Sequence, residues 1–212
     1  MNESQRSRII IALMKREGGF VDHPDDRGGA TNYGITQRVA TEHGYRGSMR
    51  DLPQEMAEKI YLKTYWHAMK LDEISARAPA LAIAMLDYGV HSGTKRAARQ
   101  LQEVLNVLSN NGRRWPAIEI DGCIGSQTLT AMDAMLKLRG VGCGYTLANT
   151  LNALRLAWLV ELARRDPSQQ AFAQGWIDRV VRLGEEMYDT GNDTGTRSHQ
   201  ISSQRGSRHG MV

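Results

Sequence analysis

The residues best suited to chemistry stand between positions 16 and 36, in the stretch REGGFVDHPDDRGGATNYGIT. Glu17 closes an apolar-periodic segment and is followed at once by Gly18 and Gly19. Asp22, Asp25 and Asp26 come next, then a second glycine pair and a turn carrying Thr31, Asn32 and Thr36. A carboxyl partly withdrawn from water at such a helix end is expected to keep its proton near neutral pH, as a general acid must. Glycines beside it let a bulky substrate approach the backbone closely. A second polar group across a cleft would hold or activate water, and the candidates are Asp22, Asp25, Asp26, Thr31, Asn32 and Thr36. One acid on one side of a sugar and one water-directing group on the other is the arrangement of glycoside hydrolysis. The plainer reading makes Glu17 a surface carboxylate at a helix terminus and the aspartates turn formers.

The elements that must position these groups are mostly helical. Ile9, Ile10, Leu13 and Met14 recur at helical spacing over residues 3 to 16, and Gly18-Gly19 stops that helix. Residues 20 to 36 suit a small hairpin or irregular loop. Helices are expected at 36 to 43 and at 53 to 68, the latter with Pro53 in its first turn. Residues 79 to 91, PALAIAMLDYGVH, are apolar nearly all round and predict a buried central helix. Thr94 is placed to cap a helix over 95 to 109. After a long turn at 110 to 125, further helices are expected at 126 to 138, 147 to 165 and 168 to 189, with Pro167 dividing the last two. Residues 190 to 212 hold few apolar residues and are expected to be a flexible tail. The class is mainly α, with a small β-hairpin next to the active site.

The motif Glu17-Gly18-Gly19-Phe20, then Gly28-Gly29, then Thr31-Asn32-Tyr33-Gly34-Ile35-Thr36 resembles the glycoside hydrolase family 108 muramidases of phages and prophages. Phe20 stands where the family more often has Tyr. Tyr65-Trp66 and Leu86-Asp87-Tyr88-Gly89-Val90 fit later family segments, and Gly175-Trp176-Ile177-Asp178-Arg179 fits one near its end. The resemblance implies a lysozyme-like helical fold and hydrolysis of the β-1,4 bond between N-acetylmuramic acid and N-acetylglucosamine. It places Glu17 on the catalytic glutamate, with Gly18, Gly19, Phe20, Tyr33, Thr36 and His91 as substrate-binding candidates. A looser likeness to phage-type lysozymes, which carry an Asp nine residues and a Thr fifteen residues after the Glu, points to Asp26 as the second carboxylate. In that likeness Thr31 or Asn32 positions water.

In the second half, EIDGCIGSQTLTAM at 119 to 132 resembles the D-G-x-x-G-x-x-T motif of peptidoglycan-binding modules. The same residues also make an ordinary turn into a helix. The organisation expected is a catalytic region over 1–92, a helical lobe over 93–189 packed on it as one unit, and the tail. Trp176 is either core or a sugar platform, and His91 either faces the cleft or is structural. Arg6, Arg8, Lys15, Arg16 and Arg27 are either a basic rim for an anionic wall or a solvated helix face.

Composition bounds the function classes. Hydrophobic content of 41% and a charged fraction of 24% are ordinary globular usage. A net charge of +4 suits an anionic polymer or is simply unremarkable. The 27 basic residues are scattered and balanced by 23 acids, unlike a nucleic-acid binder with a basic recognition helix. Cys123 and Cys143 are expected as reduced thiols outside any metal motif. The start of the chain lacks the pattern of a signal peptide. A monomer with no metal and no cofactor, collecting in the host cytoplasm and passing to the wall through a holin-type pore, is therefore expected. A non-catalytic wall-binding or secretion-assisting protein on the same fold is the alternative.

Overall fold

The computed structural model describes residues 1–22, 29–140 and 142–192. The expectations for Asp25, Asp26, Arg27 and the tail beyond residue 192 lie outside the described residues. Helix α1 (Glu3–Arg16) begins with a reciprocal cap: the Asn2 side chain accepts from the Gln5 N–H, and the Gln5 side chain accepts from the Asn2 N–H. Its apolar stripe buries Ile10, Leu13 and Met14. Gly18, at φ +97°, turns the chain out of the helix in a conformation side-chain-bearing residues rarely adopt.

The hairpin is minimal. Strands β1 (Thr31–Asn32) and β2 (Ile35–Thr36) pair antiparallel, Thr31 opposite Thr36 and Asn32 opposite Ile35. Tyr33 and Gly34 form the two-residue loop, both with positive φ, as a type I′ turn requires. Thr36 then caps α2 (Gln37–Glu42) by accepting from the Val39 N–H.

Pro53 sits at the cap of α3 (Gln54–Tyr61), not inside its first turn, and the expected single helix over 53 to 68 continues from Leu62 to His67 as a π-helical turn. Apolar spacing over sixteen residues is not sharp enough to reveal a change from i→i+4 to i→i+5 bonding. The short α4 (Leu71–Arg77), which buries Leu71 and Ile74, has no counterpart in the sequence-based reading; two turns are too few for a clear period.

The expected buried helix is α5 (Pro79–Ser92), with nine buried residues from Ala80 to Gly89. Gly93, at φ +95°, makes the reversal into α6 (Thr94–Leu108), so Thr94 is the first helical residue and not the cap. After an irregular segment come α7 (Ser126–Arg139), α8 (Cys143–Arg165) and α9 (Gln170–Asn192), with a 3-10 turn at Pro167–Gln169 between the last two. Helix α8 starts four residues before the expected position because Cys143 and Gly144 are already buried against the core. Cys123 is exposed and Cys143 buried, both as free thiols.

Helix α5 is the axis of the molecule. It packs against α4, α6, α8 and α9, and one continuous core runs from Ile10 to Leu151. No helix among the described residues is long and apolar enough to cross a membrane.

At the start of α8 the fit is tight: a Cβ on Gly144 would stand 2.8 Å from the Ala78 Cβ, just before α5. Neither atom can swing aside. Gly144→Ala should therefore destabilise the fold by about 1–3 kcal/mol despite its better helix propensity, read as a lowered midpoint in chemical denaturation.

Candidate active site

A carboxylate at the C-terminus of a helix meets the negative end of the helix dipole and needs a cation. Glu17 caps α1 there, its N–H donating to the Leu13 carbonyl. The cation comes from the far end of the chain. Arg179 on α9 donates from Nη2 to Glu17 Oε1 at 2.5 Å. The same guanidinium donates from Nε to both Asp87 oxygens, at 2.9 Å each. Behind Asp87, the fully buried Arg155 on α8 approaches Oδ2 from Nη1 at 3.4 Å. Glu17, Arg179, Asp87 and Arg155 thus alternate in sign across four helices. Burial opposes the charge on Asp87, but the hydrogen bond and charge of Arg179, with Arg155 and Arg16 behind, outweigh it and hold the carboxyl below its usual range.

The hairpin closes on the other side of Glu17. A Cβ on Gly34 would lie 3.0 Å from the Glu17 Cβ and 3.3 Å from the Tyr61 hydroxyl, so only a glycine lets the turn rest on the acid. Tyr61 donates to the Tyr33 carbonyl at 2.8 Å and fixes the strained turn. Tyr65 lies one turn on, its ring centroid 5.2 Å from that of Tyr61. Burial, and then the charge of Glu17, push both phenols above their ordinary range, so both are neutral hydroxyls beside the acid. The Glu17 side chain keeps 19% of its surface exposed, enough for a ligand atom to reach it.

The other residues singled out in the sequence divide. Added Cβ atoms on Gly18 and Gly19 would meet open space, as a close approach by a ligand needs. Tyr33 joins the site through its backbone. Phe20 is half-buried with the Arg50 guanidinium 4.3 Å above its ring. Thr31 donates to the Gly29 carbonyl, the buried Asn32 amide donates to the Met49 carbonyl at 2.8 Å, and the Thr36 hydroxyl is the α2 cap. His91 stands one helical turn beyond Asp87, with Nδ1 3.1 Å from the Ser92 hydroxyl and its ring edge-on to Trp176. Burial first, then Arg155 and Arg179, lower its pKa to about 4. Asp22 is exposed.

Pattern reasoning did not join Asp87, Arg155, Arg179 and Tyr61 to Glu17. One signal was available: a lone aspartate in an otherwise apolar helix is rarely buried unless a cation comes to meet it. Which cation, the pattern does not say.

Residues 10–93 match the glycosyl hydrolase 108 family, and residues 96–181 match a predicted peptidoglycan domain. The structure of Brucella abortus SagA aligns with a TM-score of 0.67 and 30% sequence identity, over 89% of this chain and 96% of that one. No curated protein matches the chain.

Two outcomes follow from the buried charges. Two guanidinium nitrogens of Arg155, Nε and Nη2, have no hydrogen-bond partner among the described residues, so Asp87→Asn strands a buried cation. It should cost about 3–5 kcal/mol at pH 7. In the parent chain the folded Asp87 carboxyl ionises at lower pH than the unfolded one. Its contribution is complete above the ordinary value of about 3.9 and fades as pH falls below it. The variant should lack that acid-limb loss, measured by denaturant unfolding at pH 7 and pH 3. His91, with its pKa lowered from 6.5 to about 4, should remain neutral at pH 6 and titrate near 4 in an NMR titration of its ring protons. Because the unfolded imidazole gains its proton first, this group also lowers stability as pH falls from 6.5 towards 4.

Proposed function

The chain belongs to the glycosyl hydrolase 108 family, and on that premise we propose that it is an endolysin-type muramidase. It would cleave the β-1,4 bond between N-acetylmuramic acid and N-acetylglucosamine in bacterial peptidoglycan and so lyse its host cell. The family makes the protein a glycosidase, and the predicted peptidoglycan domain supports peptidoglycan as the polymer it acts on. The observation that carries the finer reading is Glu17 itself: a reachable carboxyl closed in by a glycine turn and two tyrosines, with one cation holding it.

Glu17 donates its proton to the glycosidic oxygen as the bond to the anomeric carbon breaks. A sugar chain seated over Gly18 and Gly19 reaches the carboxyl from its open side. Arg179 stabilises the carboxylate left behind. Positive charge develops on the sugar ring, and water adds to the opposite face. Asp26 is the second carboxylate proposed for that step, with Thr31 or Asn32 directing water; the likeness to phage-type lysozymes favours inversion. This acid–base route calls for no metal and no organic cofactor.

Regions 1–92 and 93–189 work as one unit in this reading, because the second lobe supplies Arg179 to the acid of the first. The protein acts as a monomer, collects in the host cytoplasm and reaches the wall through a holin-type pore. The Arg179 contact also suits a second reading, a non-catalytic wall-binding or secretion-assisting protein in which Glu17 is a structural ion-pair partner.

Glu17→Gln separates the two. The parent chain should release reducing N-acetylmuramic acid ends from purified peptidoglycan, identified by mass spectrometry, and the variant should lose at least about a hundredfold in rate. Equal rates would remove Glu17 from catalysis. Wall binding without reducing ends from either chain would support the second reading.

A further inference from the structure

Helix α9 carries more than Arg179. Phe172, Trp176 and Arg179 recur at i, i+4 and i+7, so they share one face of the helix. Across from that face, α5 presents Asp87 to Arg179 and, one turn further on, His91 to Trp176. The two helices therefore match charge with charge near Glu17 and ring with ring further out. Beyond this matched pair Phe172 continues the row into solvent. It stacks on Trp176 with centroids 6.2 Å apart and planes 24° apart, yet 58% of the residue is exposed.

An exposed phenyl ring alone is ordinary; here it is stacked on an indole that is itself packed edge-on against His91, so the two rings form one row leading out from Arg179. The row starts at the guanidinium that touches Glu17. Phe172 stands seven residues from Arg179, about 10 Å along the helix axis. A glycan chain seated at Glu17 crosses that distance within a few sugar units. Pyranose rings present apolar C–H faces that pack flat on aromatic rings, while their edges carry hydroxyl and N-acetyl groups. His91, neutral down to about pH 4, adds a polar group to the ledge without adding a charge.

We propose that Phe172 and Trp176 form a saccharide-binding ledge that extends from the site at Glu17 along α9 and holds the glycan strand away from the scissile bond. The occupant is the sugar backbone of the polymer, not its peptides. This inference rests on the muramidase reading for its ligand, but not on hydrolysis for its test.

The test uses the full chain carrying Glu17→Gln, so that ligands are bound and not consumed. Affinity is measured by calorimetry for peptide-free oligosaccharides of alternating N-acetylglucosamine and N-acetylmuramic acid, of increasing length. Adding Phe172→Ala should weaken binding of the longer oligosaccharides roughly three- to tenfold and leave the disaccharide unchanged. Phe172→Trp should keep the affinity, and Phe172→Leu, apolar but without a ring, should not. Val181→Ala, at an exposed position on the same helix, should bind as its parent does. Phe172 is exposed, so these variants should fold; matching thermal melts verify it. Equal affinity of Phe172→Ala and its parent at every length overturns the ledge, as does full affinity in Phe172→Leu. A change in oligomeric state on Phe172→Ala, with no change in sugar binding, overturns it in favour of a protein contact. Absence of oligosaccharide binding by the Glu17→Gln chain also overturns it. If the parent releases no reducing ends while the length-dependent Phe172 effect persists, the ledge stands and the muramidase reading falls.

Discussion

Asp87 is a carboxylate in the middle of the most apolar helix of the protein, and it is 2% exposed. Water cannot satisfy it there, so the fold must bring cations to it. Two arrive, Arg155 from α8 and Arg179 from α9, and both helices are thereby tied to α5 by contacts that hydrophobic packing alone would not specify. Buried ion pairs add little net stability, because desolvation offsets most of their attraction. They are strict about geometry, however, and Arg179 is constrained twice, since it meets Asp87 with one nitrogen and Glu17 with another. The placement of the acid at the end of α1 is in this sense set from the end of the chain.

The opposite wall of the acid is made by local means. A two-residue turn with positive φ at a tyrosine is strained, and the Tyr61 hydroxyl holds it by its carbonyl. Gly34 then rests on the Glu17 side chain, and Tyr61 and Tyr65 close the remaining side. The π-helical turn that begins after Tyr61 lies directly beneath this wall, where such turns are often found at functional sites. Glu17 is held by a cation on one side and has the neutral hydroxyls of Tyr61 and Tyr65 nearby on the other.

One core cluster takes in residues from both matched regions of the chain. The core is continuous from Ile10 to Leu151, and the N-terminal half of the helix that supplies Arg179, Arg179 included, falls inside the segment matching a peptidoglycan domain. The same helix carries the aromatic row leading away from the acid. The residue that holds the acid and the proposed saccharide ledge thus share one helix.

Much of this was legible in the residues. The apolar period of 3 to 16 followed by Gly18-Gly19 located α1 and its end, because a helical stripe and a glycine stop are local features. The same holds for the buried character of α5, while residues 20 to 36 suited a small hairpin or an irregular loop, and the left-handed backbone at Tyr33 is not a conformation a tyrosine dictates. The motif around Glu17 pointed to the family that the matches then showed. Short elements were less visible: α4 has too few turns to establish a period, and the cap at Gly93 in place of Thr94 turns on a backbone angle that side-chain pattern does not encode. What only the tertiary structure decided is who meets whom. Arg179 lies 92 residues from Asp87 and 162 from Glu17, and Arg155 lies 68 from Asp87. Periodicity tells which face of a helix is buried, but an ion pair depends on how that face is turned and on which helix lies against it, and those are settled only when the whole core packs.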